Sequence, residues 1–429
     1  MEYSVLDIDD CQLKLWQGSE LLLSSPGYAL FENHRLIFGE AAQQQARIYP
    51  QNINHQYWSK LNTLPLENPL GQMRHNADIA HSHIQDISDN VDVSSKLILA
   101  VPSSYCREQL ALLLGIIHES SFEVVGLVDK ALVMALPQLS SDSAICADLQ
   151  LHSIILSTIN FSDHQWKITD QKTIPDIGWL TIQERIGNSI ANAFIEQTRI
   201  DPRKLPVSEQ ALYNKIPDYL QTLENSDTVN ISLSGQTSRI SRETIASDCA
   251  DIFNTIKKYR LDRGKPLLAT TKLSMLPGFT EYFPQLTIAK QSNIPLAIDF
   301  NLHAVIGDSN ALTQIKQLPP MLDITDRLTR PESRPSHLLY RHVAYPLDSK
   351  TTWIGNGQLC PKPCIDLEID SLIAIEEYKG ALTLKLIEGN DARINGGEVN
   401  SEKTLQTGDV VKLDGEQFTL IEVQTNSGP

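Results

Sequence analysis

The run Leu97-Ile98-Leu99-Ala100-Val101 constrains the fold more than any other part of the chain. A strand apolar at every position has no solvent face, so it must be covered on both sides, as in a parallel sheet flanked by helices. The following residues agree. Pro102 to Tyr105 form a turn, and Arg107 to Glu119 carries an apolar helical face behind Ser103 or Ser104 as N-cap. Phe122 to Val128 reads as a second buried strand, and Lys130 to Ala135 as a short helix closed by Pro137. The order β-α-β-α implies an α/β fold with a mainly parallel sheet.

Two hairpins are expected around this core. In the first, Val5-Leu6 and Leu13 to Trp16 enclose a tip carrying Asp7, Asp9 and Asp10. In the second, Ala144 to Asp148 and Ile154 to Ile159 enclose Leu149 to Ser153, with His152 in the tip. A hairpin tip that grips phosphate needs glycines and hydroxyls, because its backbone N–H groups must approach the anion closely. Both tips offer carboxylates and bulk instead.

Further along, Ile182 to Thr198 and Val207 to Leu223 read as helices, and Thr228 to Ile240 as a hairpin. Another helix runs to about Tyr259, a strand covers Pro266 to Thr270, and Leu296 to Leu312 reads as a closing apolar helix. Residues 50–94 are polar and resist assignment. Their His75, His81 and His83 read as solvated surface, since no fourth metal partner accompanies them. Gln317 to Ser336 holds four prolines and alternating charge, the mark of a linker. From His337 onward short strands recur, and Asn395-Gly396 signals a tight hairpin, so a small β-sandwich is expected.

The net charge of −16 over 429 residues opposes binding to nucleic acid or an anionic membrane. Leu110 to Ile117 is too short to span a bilayer, and no N-terminal signal is visible, so a cytoplasmic protein is expected. The six cysteines are scattered, and Cys360-Pro-Lys-Pro-Cys364 matches neither a redox nor a zinc spacing. No serine-hydrolase elbow, zinc-protease helix or Walker loop is present.

Several stretches, in one order, resemble the nucleotide-binding domain of the heat-shock-seventy (DnaK-like) chaperones of the actin-like superfamily. They are Ser24-Ser25-Pro26-Gly27-Tyr28, Phe38 to Ala46 with its Gly-Glu-Ala-Ala start, Leu99-Ala100-Val101-Pro102, Leu127 to Ala131, and Pro277-Gly278-Phe279. The resemblance implies an actin-like, ribonuclease-H-like two-lobed ATPase fold over residues 1–315, with a reduced insertion in the first lobe. A linker, 316–336, and a small all-β sandwich, 337–425, would follow. In that family Asp7 and Asp148 would help hold hydrated magnesium; a turn-capping role for both is equally compatible with their positions. The phosphate loops depart from the family: Asp7-Ile8-Asp9-Asp10-Cys11 and Asp148-Leu149-Gln150-Leu151-His152-Ser153 lack the glycines. Thr270 to Ser274 stands where the family has its adenosine loop. Each aspartate set against a phosphate at ~4 Å would cost about 4 kcal/mol at an effective dielectric near 20.

The C-terminal part resembles a forkhead-associated domain through Asn395-Gly396, Leu405, Gly408-Asp409 and Phe418-Thr419-Leu420, although Asn356 replaces the phosphate-reading arginine. Three functions follow as expectations. One is a non-catalytic DnaK-like scaffold or assembly factor that has lost ATP hydrolysis and meets another protein through its cleft or its sandwich. The second is a divergent ATP- and magnesium-dependent chaperone-type ATPase, with Asp7, Asp9, Asp10, Asp148 and His152 as the remnant phosphate loops. The third is a forkhead-associated-type adaptor reading a phosphoprotein.

Overall fold

The computed structural model describes residues 3–91, 93–233, 235–259, 264–306, 312–321, 335–340, 343–347, 352–355, 371–378, 381–387, 392–395, 397–399, 401–413 and 416–421. The chain divides into two compact units, Met1–Met321 and Leu322–Pro429. The content is mixed α/β.

The first unit is built on two sheets. The first contains β1 (Ser4–Asp7), β2 (Leu13–Gln17), β3 (Glu20–Ser25), β4 (Lys96–Val101) and β5 (Glu123–Asp129). The second contains β6 (Ser143–Leu149), β7 (Ser153–Ser162), β8 (Gln165–Pro175), β9 (Leu267–Thr270) and β10 (Leu286–Ala289). Their spatial orders are β5-β4-β1-β2-β3 and β10-β9-β6-β7-β8. In each sheet the first three strands are antiparallel and the next two run parallel to the first. The same wiring is therefore used twice. Gln317–Leu318 adds a short strand beside β8, so residues expected to begin the linker belong to the first unit.

The side-chain period of a strand explains why these segments are apolar throughout. Val5, Ile98, Ala100, Ala144 and Cys146 face a central core shared by both sheets. Leu6, Leu97, Leu99 and Val101 face the helices Asn76–Asn90 and Arg107–His118 outside the first sheet. Ile145, Ala147 and Leu149 face Trp179–Thr198, Pro206–Glu224 and Arg242–Tyr259 outside the second. Helix Lys130–Ala135 lies in the central core, and each of its residues is buried.

Residues 50–94, unassigned from sequence, contain helix Asn76–Asn90 and two short strands that pair with each other, Pro65–Leu70 and Met73–His75. His83 corrects the expectation of a solvated histidine: it is fully buried. Trp58 Nε1 donates to its Nδ1 at 3.2 Å, and Tyr57 Oη lies 2.8 Å from the same nitrogen. An indole N–H can only donate, so Nδ1 is the acceptor and Nε2–H donates to Ser25 Oγ at 2.8 Å. Phe38 stacks on the ring at 4.8 Å. The expected closing helix is two shorter ones, Asn293–Phe300 and Leu302–Ile306.

In the second unit, six strands order as Val343–Pro346, His337–Tyr340, Glu416–Ile421, Val410–Leu413, Ala392–Ile394 and Gly397–Val399. A second sheet orders as Thr352–Gly355, Ser371–Tyr378, Ala381–Leu386 and Glu402–Thr404. Leu338, Ile373, Leu384, Val411 and Phe418 fill the space between them. Asn395 takes φ of 52° at the hairpin turn, as its sequence signal requires. Its side chain also locks the next strand, accepting from Val410 N at 2.9 Å and donating to Asp409 Oδ1 at 2.8 Å. Most of the Pro-rich linker, Asn356 and the Cys360–Cys364 pair lie outside the described residues.

Candidate functional site

Parallel order brings the C-terminal ends of β1, β5 and β6 together, and with them the acidic residues of both hairpins. Asp7 ends β1, Asp129 ends β5, and Asp148 is the penultimate residue of β6. Asp9 and Asp10 follow in the first tip. All five are buried.

At their centre is Lys130, which sequence reasoning did not single out. Asp129 caps the short helix, accepting from Ala131 N at 3.0 Å and from Leu132 N at 3.4 Å. This places Lys130 at the first helical position, with its side chain enclosed. Its Nζ lies 2.7 Å from Asp9 Oδ2, 3.2 Å from Asp148 Oδ2 and 3.6 Å from Asp7 Oδ1. A single ammonium therefore joins both hairpins. A divalent cation between Asp7 and Asp148 would have to share this space with that ammonium, and the two positive charges would repel. The donor set fits a hydrated magnesium poorly while Lys130 remains. Asp9, Asp10 and Cys11 do bring ligand atoms within 4.8 Å of one another. However, Asp9 already holds Lys130 and accepts from Cys11 N at 2.9 Å.

The backbone amides of the second tip and of the helix behind it are used internally as well. Leu151 N, in the second tip, donates to Asp10 Oδ1 at 2.6 Å. The N-terminal amides of helix Trp179–Thr198 donate to the same tip: Trp179 N to Gln150 O at 2.9 Å and Leu180 N to Leu151 O at 3.1 Å. Cys11 Sγ reaches Leu149 O at 3.6 Å. Ser157 Oγ donates to Ser103 Oγ, which donates to Asp129 at 2.7 Å, a further link between the sheets. The Leu151 amide is thus taken by the Asp10 carboxylate, and the carboxylates of both hairpins by the Lys130 ammonium.

The electrostatics follow from burying four charges together. Burial pushes Asp7 up to about 7, with Asp9 and Asp148 adding to the rise and Lys130 opposing it. Burial likewise pushes Asp10 up to about 7, and Asp9 adds to it. Asp148 is raised for the same reason. For Asp9 burial acts upward, but Lys130, Lys272 and Lys14 outweigh it and the pKa falls. Lys130 is held well above the usual lysine range: burial opposes its charge, and Asp148, Asp7 and Asp9 overcome that. Both oxygens of Asp7, and Oδ1 of Asp148, are buried without a hydrogen-bond partner among the described residues. This is the environment in which a carboxyl keeps its proton.

Of the residues read from sequence, Asp7, Asp9, Asp10 and Asp148 converge, but His152 does not join them. It turns to His55, whose carbonyl lies 2.9 Å from its Nε2 and whose ring stacks on its own at 5.0 Å. Thr270 to Ser274 continue from the end of β9 and send Lys272 over the Trp179 ring at 5.8 Å. Lys130 was missed because Asp-Lys at a helix start looks like an ordinary solvated turn. The available signal was its setting, since Val128 before it and Ala131 to Met134 after it leave no solvent face. Lys14, opposite Asp7 in the β1–β2 register, is also buried. No protein-family model matches the chain, and no curated protein matches it.

Proposed function

We propose that the first unit keeps the two-lobed framework of a DnaK-like, actin-superfamily ATPase without its ATP chemistry, and that the protein works as an interaction scaffold or assembly factor. The single observation that carries this reading is the Lys130 ammonium bound by Asp7, Asp9 and Asp148. Asp10 on the Leu151 amide supports it from the anion side. The repeated strand order of the two sheets supports the two-lobed framework. In this reading the cleft is closed by the chain's own charges, so its partners are proteins, met at the cleft or at the forkhead-associated-like sandwich. Nucleic acid is disfavoured by the net charge of −16. A cytoplasmic location agrees with the sequence, and no described helix is long and apolar enough to cross a membrane.

Isothermal titration with ATP and magnesium, together with phosphate release, tests the reading. Heats at the level of dilution and no release above the buffer blank are expected. Tight binding with turnover would establish the divergent ATPase instead.

A further inference from the structure

Two consecutive residues of the second hairpin tip, Leu151 and His152, fasten it across the molecule. Leu151 N donates to Asp10 Oδ1. His152 Nε2 lies 2.9 Å from the His55 carbonyl and 3.2 Å from His55 Nδ1, and the two rings stack at 5.0 Å. A carbonyl can only accept, so Nε2 carries the proton and His55 Nδ1 is a second acceptor. A proton added at His55 Nδ1 would set two N–H groups against each other. His55 is fixed on both sides. Strand Ile53–Asn54 before it pairs with Leu30 and Ala29, and Tyr57 and Trp58 after it are 0% and 1% exposed. The tip's other backbone bonds, from Trp179 N and Leu180 N, run to the helix outside its own sheet.

The charges that act on the two rings are positive. Arg47 acts on His55 and Lys60 on His152, and no described carboxylate acts on either. Arg47 is itself held by Glu184 and Glu209, and Glu40, on the same cavity wall as His55, takes the Gln44 carboxamide. Lys272 adds another cation to that wall. The Tyr28 ring, 5.6 Å from that of His55, stays neutral because burial raises its phenol. A proton taken up in place is therefore partly buried among cations, whereas separated rings regain water and an ordinary pKa of about 6.5. The Leu151 bond favours the charged form of Asp10, so it too weakens when that carboxyl is protonated.

We propose that the second hairpin tip is an acid-released latch: His152 seats on His55 while both rings are neutral and lets go once the pair takes up a proton. Release frees His55, which lines a cavity of about 620 Å³. The latch lies beyond the scaffold reading and does not depend on it. Hydrogen–deuterium exchange of the full chain, read by mass spectrometry at pH 7.5 and 5.0 and corrected for intrinsic rates, tests it. Peptides spanning residues 149–153 are expected to lose protection about tenfold or more at the lower pH. One proton bound near pH 6.5 in the open form, and at about 4 by His55 in the closed form, shifts the opening by that order. Peptides from β4 are expected to keep their protection. In the double variant His55→Phe/His152→Phe the stacked pair cannot titrate, and the tip should stay equally protected at both pH values. Should that variant fold poorly, ring-carbon NMR shifts in the unaltered chain decide, since both histidines must titrate over the range in which the tip loosens. Unchanged protection at pH 5.0, loosening in step with β4, a tip that still loosens in the double variant, or rings that titrate outside that range would each overturn the latch.

Discussion

Removing the Lys130 ammonium leaves Asp7, Asp9 and Asp148 facing one another without a central cation. Lys130→Met is expected to cost about 3–5 kcal/mol in urea unfolding, because an unpaired buried charge is far worse than a missing pair. Adding Asp9→Asn should recover part of that loss, and a double variant no more stable than Lys130→Met would contradict the arrangement. The pH dependence has a defined sign. Asp7 and Asp10 are raised to about 7, so the stability they contribute is full below the unfolded carboxylate range and fades as pH rises through 7. Three histidines act oppositely, each through burial: His83 is lowered to about 3, His55 to about 4, and His152 is lowered too. Their stability is full above the ordinary histidine pKa of about 6.5 and is lost as pH falls below it. From about pH 6.5 to 8 the two trends oppose one another, so the aspartates are read from the difference between the protein and a variant that lacks one of them. Over that window the stability of the protein relative to Asp7→Asn should fall by about 1 kcal/mol. A profile equally steep in that variant would refute the assignment.

At the scale of elements, the second hairpin tip depends on a close approach. A Cβ built on Gly178 would lie 2.3 Å from Leu151 O and 2.5 Å from His152 backbone atoms. Backbone cannot yield as a side-chain end can, so Gly178→Ala should displace the tip and cost about 1–3 kcal/mol. Loss of the low-lying Leu151 amide resonance expected of its short bond to Asp10 would report that displacement. An unchanged resonance at unchanged stability would argue against it. Helix Asn76–Asn90 is pinned similarly by one residue, His83, whose ring joins Ser25, Tyr57 and Trp58. His83→Leu leaves three polar groups without their partner, and a loss of about 3 kcal/mol or more in thermal or urea unfolding is expected. The buried face of that helix was readable in outline, since Ile79, Ile84 and Ile87 fall near helical spacing. The surrounding histidines, asparagines and serines obscured it.

For the whole molecule, the two units carry separate cores, one around Leu99, Cys146 and Phe194 and the other around Leu338, Val411 and Phe418. A chain ending at Met321 is expected to unfold in one cooperative transition with the midpoint that the first unit shows in the full chain. Loss of cooperativity on truncation would mean that the second unit supplies part of its stability. Much of this organisation was legible beforehand. Runs apolar at both parities, as in β4, can only be strands covered twice, and the helices between them demand parallel order. Hairpins, acidic tips and the change to all-β at His337 depend on neighbours a few residues apart, so local chemistry determined them. The meeting of Lys130 with Asp9, 121 positions away, and of Asp10 with the Leu151 amide, 141 away, was decided only when two sheets closed on a common core. Charge and burial compete there, and the apolar run around Lys130 marks its burial without recording which carboxylates it will meet.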